Sequence, residues 1–291
     1  MQQTLSNNIE ESVRSASSTI ATKLDESTLA DSKLSYLLQL ADNALILAQR
    51  NAEWCGHGPI LEQDIAITNI ALDLLGQARN FYQYAALLIN QQHTSSDDSS
   101  LKKETITEDT LAYFRTEREF KNCLLTEQPN GDWAQTILRQ FLFSNYQYFL
   151  YRQLQQSKDE QLAAIAAKSL MEVTYHLRWS SEWVIRLGDS TAESHQRMTN
   201  AINELWQYTG ELFQPASYET SLTETGIAVD ISIIKNKWME KAVAVFTEAT
   251  LTIPEKTFMQ QGGKEGMHTE HMGYILTELQ YLQKTYPGCN W

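Results

Sequence analysis

The chain has 291 residues, of which 42% are hydrophobic, and its formal net charge at pH 7 is −13. Lys and Arg are not clustered, and phosphate contacts need clustered cations, so the composition argues against a nucleic-acid or membrane-surface binder. No apolar run approaches the roughly 20 residues that span a bilayer, and residues 1–31 lack the apolar core of a signal peptide. The three cysteines show no CxxC spacing, which is typical of reduced thiols. These features predict a soluble, cytoplasmic protein.

Apolar residues recur at spacings of three and four along most of the chain, which predicts an all-α protein of about eight helices. The helices are expected at about 33–53, 60–88, 107–125, 132–156, 159–187, 191–210, 230–250 and 268–286. Residues 91–100 are expected to form a loop, residues 211–229 an irregular stretch, and Asp132 is a candidate N-cap. A single helical domain over residues 31–291 follows, preceded by a flexible extension over residues 1–30.

The second and fifth predicted helices carry apolar residues beyond a single stripe. On the second helix, Leu72 and Leu75 lie away from the main stripe. The fifth helix has one aliphatic face and a second face that reads Glu172, His176, Trp179 and Trp183. Helices of this kind are expected to bury more than one side.

Long antiparallel helices with acidic residues raise the possibility of a ferritin-like di-metal bundle. Such a site takes a Glu from each of two helices and Glu-x-x-His from each of the other two, because residues three apart share a face. The second helix offers Asp73 with Gly76, and the fifth offers Glu172 with Tyr175, while the single carboxylates fall at Asp42 and Asn145. Both histidines are missing and one carboxylate is replaced by an amide. The sequence therefore predicts a degenerate di-iron site, with no metal and no catalytic residue in this chain.

Each of these residues also has a structural interpretation. Asp73 lies on a polar flank of its helix, and a solvated face explains that flank equally well. Glu172 is expected to pair with a nearby arginine. His176 is displaced by one residue from the ligand position, a rotation of roughly 100° around the axis, and is expected to be a core histidine.

A second, weaker metal hypothesis concerns His268 and His271, which are three residues apart on the last predicted helix. Nothing nearby supplies a third ligand with matching spacing. The glycines of residues 54–58 (WCGHG) match no phosphate-binding loop, because the GxxxxGK[ST] and GxGxxG patterns are absent.

Seven segments of the sequence are distinctive enough to be compared with known families. They are 53–59 (EWCGHGP), 64–79 (DIAITNIALDLLGQAR), 117–131 (EREFKNCLLTEQPNG), 139–143 (RQFLF), 172–189 (EVTYHLRWSSEWVIRLGD), 205–213 (LWQYTGELF) and 262–274 (GGKEGMHTEHMGY). Together they resemble a known family, the C subunits of bacterial ring-1,2-phenylacetyl-CoA epoxidases, multicomponent oxygenases of aerobic phenylacetate breakdown. The resemblance covers about residue 34 to the C-terminus, and residues before about 30 lie outside it.

The resemblance implies a ferritin-like fold in a non-catalytic, structural subunit whose metal site has been lost. It implies a hetero-oligomer with a homologous catalytic A subunit, whose di-iron centre epoxidises the ring of phenylacetyl-CoA, and with a small B subunit. Flavin, iron–sulfur and NADPH belong to a separate reductase subunit, and no cofactor is expected in this chain. The long helices are expected to dock against those of the A subunit.

Two other hypotheses stay open. One is a self-sufficient di-iron monooxygenase with a variant ligand set of Asp42, Asp73, Glu172 and His176. The other is a helical binding module for a CoA thioester at a subunit boundary. The iron content of the isolated chain distinguishes the first of these from a metal-free subunit.

Overall fold

Helices make up the secondary structure of the computed structural model, which describes the backbone of residues 2–95 and 105–289 and the side chains of residues 27–94 and 105–289. Within those ranges there are eleven α-helices and no strand, which confirms the all-α prediction. In chain order they are α1 (Gln2–Ala52), α2 (Leu61–Ser95), α3 (Glu108–Tyr113), α4 (Leu124–Glu127), α5 (Trp133–Leu154), α6 (Glu160–Gly188), α7 (Ala192–Leu205), α8 (Ser217–Thr225), α9 (Ser232–Glu248), α10 (Glu270–Leu279) and α11 (Tyr281–Thr285).

Four long helices form the core of the fold. α1 packs along α2, α5 packs along α6, and α2 meets α6 where the two pairs join. Apolar side chains on their inner faces are fully buried, among them Leu37, Leu74, Phe141 and Val173. Each side chain of this size contributes about 1.5–3 kcal/mol when it is removed from water. Apolar burial along the bundle axis therefore supplies most of the cohesion between these helices.

Shorter helices cover the bundle on the side of α1 and α5. α7 and α9 pack against α5, α8 packs against α1, and α10 touches α1 and α4. Trp238 of α9 is buried and donates from its indole nitrogen to the carbonyl of Leu142 on α5 at 3.0 Å. None of the helices in the described ranges is long and apolar enough to cross a membrane.

Side-chain caps fix where α5 and α6 begin. Asp132 accepts a hydrogen bond from the backbone N–H of Gln135 at 3.0 Å, which confirms it as the N-cap of α5. Asp159 caps α6 in the same way through the N–H of Leu162 at 2.9 Å. Because the first N–H groups of a helix have no partner within it, each such cap stabilises the helix by about 1 kcal/mol.

The helix predicted at 107–125 is wrong. The segment contains only α3 and α4, with a 3₁₀ turn at Glu117–Glu119 between them. The N–H of Lys121 donates to Asp42, and the N–H of Cys123 donates to Asn43, each at 2.8 Å. Backbone donors that bond to side chains of α1 cannot bond to carbonyls four residues back, so the helix is interrupted here.

Other helix boundaries also differ from the predictions. α2 continues to Ser95, so the loop predicted at 91–100 is wrong for residues 91–95, and residues 96–100 lie outside the described ones. α7 ends at Leu205, the predicted irregular stretch contains α8, and the last predicted helix divides into α10 and α11. α1 begins at Gln2, so the backbone of residues 2–30 belongs to this helix. The flexibility of that extension stays a prediction.

Two glycines of residues 262–266 allow this segment to lie directly on residues 118–124. Gly266 has φ +78°, and a Cβ built on it would lie 2.2 Å from the carbonyl oxygen of Arg118. A Cβ on Gly263 would lie 2.3 Å from the carbonyl oxygen of Asn122. Only a residue without a side chain permits so close an approach of two backbones.

Gly266→Ala is therefore expected to lower the free energy of unfolding by at least about 3 kcal/mol, because the methyl group is strained at this φ and meets a backbone carbonyl. Gly56→Ala is the matched control. Gly56 has φ +80° with nothing within 4 Å of a Cβ, so its loss should be only about 1–2 kcal/mol. Urea denaturation measures both, and equal losses would contradict the close approach.

Candidate functional site

Two carboxylates lie where α2 meets α6. Nε2 of His176 is 3.0 Å from Oδ2 of Asp73, and Gln77 donates from Nε2 to Oε2 of Glu172 at 2.9 Å. These contacts pair residue 73 with 176 and residue 77 with 172, so the two helices run antiparallel. The side chain of His176 is fully buried, whereas that of Asp73 is 40% exposed. We call Asp73, Gln77, Glu172 and His176 the α2–α6 seam.

The electrostatics of the seam act mainly on Glu172. Burial raises the pKa of this carboxyl group above its ordinary value, while the hydrogen bond from Gln77 lowers it. The negative charge of Asp73 raises the pKa further, and His176 and then Lys168 lower it through their charge. The net direction is upward, because burial is the largest of these effects. The predicted arginine partner of Glu172 is wrong, because the side chain that binds it is the amide of Gln77.

The two positions at which a di-iron bundle would carry its histidines lie on the outer surface. A Cβ at Gly76 would meet no atom within 4 Å, and Tyr175 is 40% exposed with Arg178 against its ring. The inner face of α2 is instead formed by its buried residues, which include Leu74, Gln77 and Ala78. The spacing of Asp73 and Gly76 predicted that both residues face the interior of the bundle, but Asp73 lies at the edge of the buried face of α2 and Gly76 lies outside it.

The other two predicted ligand positions have different partners. Asp42 is fully buried and is ion-paired with Arg115, and it also accepts hydrogen bonds from the hydroxyl of Tyr82 and the N–H of Lys121. Asn145 is buried and donates to the carbonyl of Trp238 at 2.9 Å. The six predicted positions therefore do not converge on one point, and of them only Asp73 and Glu172 share the seam.

The residues at the seam do not fit a di-iron centre. Such a centre takes four carboxylates and two histidines from four helices, whereas the seam offers two carboxylates, one imidazole and an amide from two helices. Among the described residues, no group of three or more His, Cys, Asp or Glu side chains is arranged to hold a metal ion. The buried polar neighbours are amides and a phenol: Gln147 donates towards Gln77 at 3.5 Å and towards Tyr151 at 3.3 Å.

The His268–Glu127 pair is a second polar cluster, and it joins the segments 117–131 and 262–274. Nδ1 of His268 lies 2.8 Å from Oε2 of Glu127, and Nε2 lies 3.0 Å from the carbonyl oxygen of Phe120. The N–H of Thr269 donates to the other carboxylate oxygen at 2.6 Å, and Asn122 donates to Glu127 at 2.9 Å. Both ring nitrogens face acceptors, so neither is left for the metal pair with His271 that the sequence suggested.

Two further buried carboxylates fix the segments around this pair. Glu211 accepts hydrogen bonds from the N–H of Leu124 at 2.7 Å and of Gly262 at 2.8 Å. Glu219 accepts from the ammonium group of Lys264 at 3.0 Å, and both side chains are almost fully buried. The signal for this cluster was present in the sequence, because charged residues almost never occur buried unless they are paired, but their partners are too far apart in the chain to be matched by spacing.

The surroundings of His268 raise its pKa above the ordinary value. Burial lowers this pKa, but the hydrogen bond to Glu127, the charge of that carboxylate and the Phe120 carbonyl raise it by more. A raised pKa in the folded state stabilises the protein below the unfolded-state pKa, near 6.5. That stabilisation is lost as the pH rises through the higher pKa of the folded state.

His268→Gln is expected to lower the free energy of unfolding by about 2 kcal/mol at about pH 6, where the imidazolium makes a charged hydrogen bond. The difference between wild type and variant should become smaller at about pH 9, because the neutral imidazole donates only one hydrogen bond. Chemical denaturation at both pH values measures it. A difference that is unchanged or larger at the higher pH would contradict a charged His268.

Comparison with known proteins decides the family. The family described as "Phenylacetic acid catabolic protein" matches residues 17–291. The chain belongs to this family. Its helical bundle is the ferritin-like fold of the family, and the resemblance inferred from the seven segments is confirmed. The match begins at residue 17, so part of the N-terminal extension lies inside it, contrary to the sequence-based expectation.

The chain is also similar to the C subunit of 1,2-phenylacetyl-CoA epoxidase of Escherichia coli (strain K12). It is 48% identical to this chain over 256 residues, which are 88% of this chain and 98% of the relative. Membership of the family makes the chain a component of phenylacetate catabolism. The segments that first indicated the family carry the two polar clusters. Segments 64–79 and 172–189 form the α2–α6 seam, and segments 117–131, 205–213 and 262–274 hold Glu127 and Glu211 with their partners, as well as Lys264, the partner of Glu219.

Proposed function

We propose that this chain is a non-catalytic, structural subunit of a phenylacetyl-CoA epoxidase and docks against a homologous, di-iron catalytic A subunit. The observation that carries the proposal is an exposed apolar face on two of the long bundle helices. On α2 it comprises Leu61, Ile65 and Leu72, which are 71%, 50% and 61% exposed, and on α6 it comprises Met171 and Tyr175, which are 72% and 40% exposed. We call these five residues, with Gly76, the docking face.

Helix geometry supports treating these residues as one surface. At about 100° per residue, Leu61, Ile65, Leu72 and Gly76 fall within an arc of about 60° on α2. Met171 and Tyr175 lie about 40° apart on α6, and the seam holds the two helices side by side. Apolar surface that is exposed and contiguous marks interaction sites, and subunits that are permanently associated bury large apolar interfaces.

Gly76 adds a second reason to expect a helix against this face. A glycine inside a helix costs about 1 kcal/mol relative to alanine, and among the described residues no atom beyond the adjacent helix backbone lies within 4 Å of a Cβ built at this position. The local structure therefore gains nothing from a glycine at this position. A neighbouring helix of another chain would gain, because the absence of a Cβ lets two backbones approach closely.

The chemistry of the interior supports a structural role for this chain. Asp42, a candidate ligand of the variant di-iron set, is occupied by Arg115, Tyr82 and Lys121. Asp73 and Glu172 lie on α2 and α6 without the carboxylates that two further helices would have to add. In this proposal iron and oxygen chemistry belong to the A subunit. The relative, which is named as the C subunit of an epoxidase, supports a place for this chain in such a complex, and the small B subunit is proposed as a further partner in the cytoplasm.

Co-expression with the A subunit, followed by size-exclusion chromatography, tests the docking face. The wild-type chain is expected to elute with the A subunit, and Leu72→Glu is expected to elute alone, since a carboxylate would be buried in an apolar contact at a cost of several kcal/mol. Ile233→Glu is the matched control, because Ile233 is 52% exposed on α9, away from the docking face. Independent elution of the wild-type chain would refute the proposal.

Iron analysis of the isolated chain tests the non-catalytic role. We expect no stoichiometric iron after expression in iron-supplemented medium, because the seam lacks half of a di-iron ligand set. About two irons per chain, the content of a complete site, would instead support the self-sufficient monooxygenase with Asp42, Asp73, Glu172 and His176 as ligands.

Substitutions of Gly76 separate stability from assembly. Gly76→Ala is expected to raise the free energy of unfolding of the isolated chain by about 1 kcal/mol. Gly76→Trp should leave the isolated chain folded, because a Cβ there meets no described atom within 4 Å and points to solvent, but it should abolish elution with the A subunit. Thermal unfolding measures the stability of the isolated chain, and size-exclusion chromatography measures its assembly with the A subunit. A complex that tolerates tryptophan at this position would place the interface elsewhere.

A further inference from the structure

We infer that the partner subunit presents a lysine or arginine side chain to the α2–α6 seam, where it pairs with Asp73 and Glu172 at the centre of the docking face. The inference deepens the proposed function and rests on it. It assigns to the seam a role in recognition, with a defined partner chemistry: a helix that is apolar around one basic side chain.

The two carboxylates lie beside the apolar residues of the docking face. Around α2, Asp73 is about 60° from Gly76, and around α6, Glu172 is about 60° from Tyr175, both towards the line where the helices meet. The contacts of Asp73 with His176 and of Gln77 with Glu172 fix this arrangement. A partner that covers the docking face must therefore also cover the seam.

Covering the seam removes two carboxylates from water. Asp73 now has 40% of its side chain exposed, and Glu172 is half-buried. Burying a carboxylate without a compensating charge costs several kcal/mol. The seam supplies one imidazole and one amide against two carboxylates, so a partner without a cation would have to overcome this cost with its apolar contacts.

This protein shows elsewhere how it compensates carboxylates that are buried. Asp42 is paired with Arg115, Glu219 with Lys264, and Glu127 with His268. In each of these pairs the carboxylate is nearly or fully shielded from solvent, and a basic side chain is in hydrogen-bond contact with it. Asp73 and Glu172 are the carboxylates that would need the same compensation once the docking face is covered.

In the described part of the chain no basic side chain forms an ion pair with Glu172, and the ion-pair partner of Asp73 is His176. Arg79 is paired with Glu108, and Arg178 lies over the ring of Tyr175. Lys168 lowers the pKa of Glu172 through its charge, but within the described part of the chain it forms no ion pair with either carboxylate. The compensating cation is therefore expected from the partner, and its guanidinium or ammonium group can contact both carboxylates at once.

Neutralising the two carboxylates tests the inference, because a partner with a cation and a partner without one predict opposite changes in the affinity of the complex. We would measure the Kd of the complex with the purified A subunit for wild type and for the double variant Asp73→Asn/Glu172→Gln. If the partner supplies a cation, the double variant leaves that cation buried without a counter-charge, and the affinity should fall on the order of 100-fold. If the partner supplies none, neutralisation removes a desolvation cost and the affinity should stay equal or increase, which would overturn the inference.

Control variants show whether a change in affinity comes from the seam or from a loss of negative charge anywhere on the surface. Glu240→Gln/Glu248→Gln removes the same charge from exposed positions on α9 and should leave the affinity within about threefold, because distant surface charges are screened. The affinity of wild type should fall with ionic strength more steeply than that of the seam double variant. Equal salt dependence for both would also count against a partner cation.

The experiment distinguishes failure of the inference from failure of the proposed function. If Leu72→Glu abolishes the complex while the seam double variant binds as wild type does, the docking face stands and the partner cation is refuted. If neither change affects the complex, the interface lies elsewhere and both are refuted. Thermal unfolding of the isolated variants verifies folding, and the amides of Asn and Gln can keep the hydrogen bonds to His176 and Gln77.

Discussion

Buried carboxylates hold the irregular segments of this protein on its long helices. Each of them is paired with basic side chains, with backbone N–H groups or with both. Glu127, Glu211 and Glu219 lie in or near segments with little regular secondary structure. Their donors come from residues 122–124, 216 and 262–269 and from Gln39 on α1. A carboxylate that lost its partner in this interior would cost several kcal/mol. Apolar burial alone does not select one arrangement of such loops, whereas the requirement to satisfy each carboxylate leaves few alternatives.

The requirement that a buried carboxylate be compensated also applies to the α2–α6 seam, but there the carboxylates are not yet buried. Its carboxylates are partly exposed, and water compensates them in the isolated chain. The neighbouring surface of α2 and α6 carries exposed apolar side chains and Gly76, where an added Cβ would meet no described atom within 4 Å. A ferritin-like bundle ordinarily directs carboxylates from these helices inwards to iron. Here they lie at the margin of the bundle, and the proposed role moves from coordination of metal to recognition of another subunit.

The interior of the bundle is consistent with that shift. Amide and hydroxyl side chains such as Gln77, Gln147 and Tyr151 bond to one another beside the carboxylate of Glu172. Amide networks specify packing, because a buried polar group must find its partner, but they lack the charge that iron requires. A bundle of this kind can support a neighbouring catalytic bundle as a rigid surface, without competing with it for metal.

The sequence by itself determined the helical class, most of the long helices, the N-cap Asp132 and the family, because helical periodicity and capping are local and long segments are specific. The prediction that a di-iron site lacks its histidines at positions 76 and 175 also comes from the sequence. Only the tertiary structure decided which way these positions face, that residues 114–123 leave the helix to bond with α1, and that Asp42 pairs with Arg115. These features depend on contacts between residues tens of positions apart and on small rotations of a helix about its axis, and a periodic pattern defines neither of them.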